Sequence, residues 1–106
     1  MTHFQIVGII AIMKAVLIHR FKDVTPQGDI IELVVWKVPT PVPPTEHGYK
    51  YRAVYIVDGK RIVGFDNERG KGDHYHLDEN ELPYTFVNVE QLIEDFIVAV
   101  EARRKS

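Results

Sequence analysis

The chain has 106 residues, of which 45% are hydrophobic and 26% charged, with a formal net charge of −2. That supplies one packed core but not two, because chains divide at roughly 150 residues per domain. The composition is too apolar for a disordered polyelectrolyte, and no stretch approaches the roughly 20 apolar residues of a membrane-crossing helix, so no membrane partner is expected. The absence of cysteine excludes a disulfide framework, a thiolate zinc finger and a cysteine nucleophile. It fits a reducing compartment, and a cytoplasmic location is expected.

Charge is distributed unevenly. From Lys14 to Gly72 there are ten Lys or Arg against seven Asp or Glu, from Asp73 to Ala102 eight acids and no Lys or Arg, and Arg103, Arg104 and Lys105 restore positive charge at the end. A local basic surface can hold a polyanion even when the total is near zero. For the acidic third, solvation of a helical face is a sufficient explanation.

Phe4 to Ile12 form an apolar run without the basic flank and small-residue cleavage site of a secretory signal. Met13 stands where a shorter chain could begin. Residues 1–13 are therefore expected to be a leader outside the core fold, with residues 14–106 a single α+β domain. An extra strand or helix covering a sheet edge or a second subunit is the alternative, and self-association stays open.

From Lys14 onward the pattern is that of strands. Ala15 to Lys22 and Ile30 to Val38 are rich in Val, Ile, Leu and aromatics, and Thr25 to Asp29 carries turn chemistry, so the two runs read as a hairpin. Pro39, Pro41, Pro43 and Pro44 donate no ladder hydrogen bonds and mark a stiff connector. Tyr49 to Val57 and Lys60 to Asp66 are the next pair, joined by Asp58-Gly59 as a type I′ turn. A strictly two-residue loop places Ala53 opposite Gly64 and Tyr51 opposite Asp66, with a shallow depression between exposed Tyr rings. A short fifth strand is expected at Tyr84 to Val87. Last comes a helix, capped by Asn88 with Gln91 as capping-box partner, whose Val89, Leu92, Ile93, Phe96, Ile97 and Val100 recur at helical spacing. The predicted fold is α+β: an antiparallel four- to five-stranded meander with the C-terminal helix packed on one face.

The chemistry lies between sheet and helix. Asp66 to His76 are eleven consecutive residues without an aliphatic side chain, read as a polar loop. An ordinary surface excursion accounts for such a loop as readily as function does. Arg69 and Lys71, flanked by Gly70 and Gly72, present cations and unhindered amides able to hold a phosphate, with Arg52 as a further cation. The spacing fits neither a Walker loop nor a calcium loop. His74 and His76 project to one side of an extended backbone, and Asp66 or Glu68 can assist proton transfer while guanidinium stabilises charge on phosphorus. That constellation suits metal-independent RNA cleavage within a shaped pocket. The same residues admit a metal site of Asp73, His74 and His76.

Trp36, Lys37, Val38 and Pro39, then Pro41 to Pro43, His47 to Tyr51, and above all the run Gly64 to His74 with His76, resemble the TumE family of bacterial and archaeal toxins. The resemblance covers about Lys14 to Arg104, and its most specific string is Asp66 to His74. Tyr75 departs from the Arg the family pattern leads one to expect, and Met1 to Ile12 precede the family's usual start. The resemblance implies a toxin neutralised by a small helix-turn-helix antitoxin encoded beside it. It does not define the target, because a toxin is a system role and not a reaction. Three readings follow: a metal-independent ribonuclease without cofactor, using His74, His76, Asp66 and Glu68 for proton transfer and Arg69, Gly70, Lys71, Gly72 and Arg52 for phosphate; a non-catalytic module that binds an antitoxin or other protein through the loop and the Tyr face; or a metal-dependent hydrolase.

Overall fold

The computed structural model of the chain describes residues 14–104, so the leader expected over residues 1–13 lies outside the described residues. Six strands follow one another: β1 (Val16–Val24), β2 (Ile30–Lys37), β3 (Tyr49–Val57), β4 (Lys60–Glu68), β5 (Gly72–Leu77) and β6 (Asn80–Pro83); helix α1 (Val89–Arg104) ends the order. Each strand pairs antiparallel with the next, and the sheet order is the chain order. The α+β class, the meander and the C-terminal helix are as the sequence predicts, with six strands in place of four to five.

Two differences account for the count. The polar stretch is not a loop: Asp66, Asn67 and Glu68 extend β4, Arg69 to Lys71 turn, and Gly72 to His76 run on as β5. The expected strand at Tyr84 to Val87 is absent, and β6 pairs with β5 just before it. Beyond Pro83 the chain leaves the sheet, with the Tyr84 N–H donating to the Asp73 carbonyl at 3.2 Å and its hydroxyl donating to Asp95 of α1 at 2.6 Å.

Asp58 and Gly59 both lie at positive φ, 53° and 75°, as a type I′ turn requires. The register beyond it is shifted by a bulge: Val57 faces Lys60 and Ile56 faces Arg61, but Tyr55 faces Val63, Ala53 faces Phe65 and Arg52 faces Asp66. The extra residue, Ile62, uses its carbonyl to accept the Asp78 N–H at 2.8 Å. One residue of slip exchanges partners along the ladder beyond the bulge, so Ala53 faces Phe65 and not Gly64.

Leu33, Val35, Tyr51, Ala53, Tyr55, Val63 and Phe65 on one sheet face meet Leu92, Phe96 and Val100 of α1 in the core. Tyr51 and Tyr55 are buried in it and present no exposed face. Asn88 caps α1, its Oδ1 accepting the Gln91 N–H at 2.7 Å, whereas the Gln91 side chain donates to Asp95 at 2.8 Å and leaves the capping box half made. Edge strand β1 is exposed along all its residues. A groove of about 390 Å³ runs between it, β2 and α1.

Candidate active site

Side chains alternate across a strand and directly paired residues share a face. With Ala53, Phe65 and Tyr75 directed to the helix, their neighbours Arg52, Asp66, His74, His76 and Glu81 fall on the face α1 does not cover. Asp66 pairs with His74, and His76 with Glu81. The ladder thus gathers two imidazoles and two carboxylates from three strands.

His74 is 5% exposed. Its Nδ1 lies 3.0 Å from the Gly72 carbonyl, which can only accept, so Nδ1 carries hydrogen. Its Nε2 lies 2.6 Å from Asp66 Oδ1, which is buried without a hydrogen-bond partner and forms an ion pair with the ring when the ring is protonated. His74 and His76 stand with ring centroids 5.3 Å apart at 82°. Glu81 Oε1 is the point of convergence: His74 Nε2 lies 3.7 Å from it, His76 Nε2 3.9 Å, and Lys71 Nζ 2.6 Å. Burial, reinforced by the Arg61 guanidinium, holds the His76 pKa below its ordinary value of 6.5. The hydrogen bond between Glu81 and Lys71 holds the carboxyl below its usual range and the ammonium above its own.

The expected site residues divide accordingly. The ladder brings Asp66, His74 and His76 together. Glu68 is exposed at the end of β4, with Lys71 Nζ 4.0 Å away. Arg52 shares the face, and its guanidinium donates to Glu32 at 3.4 Å. Arg69 is exposed in the turn. The glycine amides do not form an open phosphate cradle: Gly70 N–H donates to the Pro43 carbonyl at 2.9 Å, and Gly72 is buried against the connector, where a Cβ would stand a tight 3.1 Å from Pro44. The glycines let the proline connector dock on the β4–β5 hairpin.

Asp73 cannot join His74 and His76 on a metal, because it points to the helix side of β5. There it accepts hydrogen bonds from Tyr51 Oη at 2.6 Å, His47 Nε2 at 2.7 Å and Thr45 Oγ1 at 2.8 Å. His47 Nδ1 accepts the Tyr49 N–H at 3.2 Å, so Nε2 is the protonated nitrogen that donates. Desolvation raises the Asp73 pKa, but the three donors outweigh it and leave it below the ordinary value of 3.8. Desolvation first, then the bond to Asp73, push the Tyr51 phenol far up, and it stays protonated. Glu81 and Arg61 escaped the sequence reading. Glu81 sits in a four-residue strand that ends in Pro, too short for alternation to register, although His74 and His76 alternating with Tyr75 and Leu77 were a usable strand signal.

The fold and this cluster define a class: a small α+β protein with a helix-backed meander and a histidine-carboxylate group on the uncovered face. A family model described as Toxin TumE matches residues 12–104, and the chain belongs to the TumE toxin family. No curated protein and no solved structure matches the chain.

Proposed function

We propose that this toxin acts on RNA as a metal-independent ribonuclease, with His74 and His76 moving the protons. The observation that carries the reading is their placement: two imidazoles side by side on β5, with Asp66 against His74 and with Arg52 and Arg61 on the same face. His76 takes the proton of a ribose 2′-hydroxyl, the 2′ oxygen attacks phosphorus, the bond to the 5′ oxygen breaks, and His74 in its imidazolium form protonates that oxygen. The products are a 2′,3′-cyclic phosphate and a 5′-hydroxyl. Asp66 supports the charged ring from 2.6 Å, and guanidinium stabilises charge gathering on the phosphoryl oxygens. The family's toxin role supports an antitoxin partner, which we read as a small helix-turn-helix protein encoded beside it, in the cytoplasm of a prokaryote.

An oligodeoxynucleotide carrying one ribonucleotide tests the reaction. Purified toxin free of antitoxin cleaves it at that position in the presence of chelator, and the all-deoxy strand survives. His74→Ala and His76→Ala each lower the rate by about 10²–10⁴, the usual worth of a proton-transfer group. Intact RNA, or variants that inhibit growth as strongly as the parent, defeats the reading.

A further inference from the structure

The structure assigns a second property to the same face: we propose that His74, His76 and Glu81 bind one transition-metal ion of the Zn²⁺ class, in competition with Lys71. One ligand atom from each of the three residues lies within 4.8 Å of the others. Glu81 Oε1 is already 3.7 and 3.9 Å from the two Nε2 atoms. Tetrahedral zinc with bonds of about 2.0–2.2 Å sets ligand atoms about 3.3–3.6 Å apart, so these separations close by a few tenths of an ångström.

Three further features fit a cation. The His74 Nδ1–H donates to the Gly72 carbonyl at 3.0 Å, which fixes the tautomer and leaves Nε2 as the coordinating nitrogen, the outer-shell arrangement typical of metal-bound imidazole. Asp66 Oδ1 is buried without a hydrogen-bond partner, 2.6 Å from that nitrogen. A carboxylate oxygen so placed is stabilised by positive charge beside it, as a neighbour of the ion and not as a ligand, because 2.6 Å is shorter than the separation of two ligand atoms on one tetrahedral ion. Finally, Lys71 Nζ sits 2.6 Å from Glu81 Oε1, so a cation already occupies one ligand's coordinating oxygen. A metal must displace it. Imidazole and carboxylate donors without thiolate favour Zn²⁺, Co²⁺ or Ni²⁺ over Mg²⁺ or Ca²⁺.

The three ligands come from a single hairpin, β5 and β6, so the site forms whenever that hairpin does. Coordination through both Nε2 atoms consumes the lone pairs that proton transfer needs, and occupancy therefore opposes the proposed cleavage.

Tag-free full-length protein titrated with Co²⁺ tests the site through the visible absorption of a low-symmetry, nitrogen- and oxygen-ligated ion and through calorimetry. One equivalent binds, and Zn²⁺ removes the band. His76→Ala and Glu81→Gln, both changes at the less buried members of the cluster, weaken binding at least about tenfold with circular dichroism unchanged. Lys71→Ala tightens it severalfold, and His19→Ala on β1 leaves it as it was. Absence of the band in wild-type protein at excess Co²⁺, or undiminished binding in His76→Ala and Glu81→Gln, overturns the site. Binding is read without RNA: Co²⁺ uptake by a protein that cleaves nothing sinks only the ribonuclease reading, and cleavage without uptake sinks only the metal site.

Discussion

Gly70 and Gly72 look equivalent in the sequence and do different work. Both lie at positive φ, 88° and 77°, but a Cβ on Gly70 meets open space whereas one on Gly72 stands 3.1 Å from Pro44 Cγ. An L side chain at positive φ costs about 1–2 kcal/mol. Gly70→Ala should therefore lower the melting temperature by about 4–8 °C, the shift that accompanies about 1 kcal/mol in a domain of this size. Gly72→Ala carries the same strain plus a tight contact with Pro44, and should cost more. Equal shifts in thermal melts defeat the docking role assigned to Gly72. Asn67 is another residue whose work only the tertiary contacts display: its Oδ1 accepts the Tyr51 N–H at 3.0 Å and its amide donates to the Tyr49 carbonyl at 2.7 Å, continuing the β3–β4 ladder where backbone pairing ends.

Among the elements, the connector and β5 are held together by Asp73. Thr45 and His47 from the connector and Tyr51 from β3 all donate to its carboxylate, and Phe86 stacks on His47 with centroids 3.8 Å apart. Because the folded protein holds the Asp73 pKa below its ordinary 3.8, the ionised carboxylate favours the folded state. That contribution is complete above the unfolded value and is lost as pH falls through the folded one. Thermal melts of wild type and Asp73→Asn should thus differ fully at pH 7 and converge below about pH 4. A gap that stays constant down the acid range shows that the carboxylate charge does not brace these elements. The same network explains why Asp73 is unavailable to the imidazoles: adjacent residues of a strand face opposite sides, and the helix side claimed it.

Over the whole molecule, the sheet separates two environments. Helix α1, with its acidic Glu90, Glu94 and Asp95, covers one face, while Lys50, Arg52, Arg61, Lys71 and the turn residue Arg69 stand on or beside the other. That face carries carboxylates as well, with Arg52 paired to Glu32 and Lys71 to Glu81, so cations and acids alternate around the imidazoles. If that surface tracks an RNA backbone, affinity falls with salt in proportion to the phosphates neutralised, at about 0.7 log unit per contact for single strands. Arg69→Ala should reduce the slope of log affinity against log salt by about that amount with little dependence on sequence. An unchanged slope removes Arg69 from the RNA path.

Strand identity through Asp66, the type I′ turn, the Asn88 cap and the apolar stripe of α1 were all determined by the sequence alone, because each depends on side-chain periodicity or on φ preferences within a few residues. So was kinship with the toxin family, carried by the run from Asp66 to His74. The tertiary structure decided the rest. A single bulge at Ile62 reset the partners of β3, pairing across β4, β5 and β6 placed Glu81 beside His74 and His76, and Pro43 and Pro44 took the glycine turn that local chemistry offered to phosphate. These outcomes turn on which strands and connectors meet, and the free energy of those contacts is set by the packed neighbours and not by the residues read one window at a time.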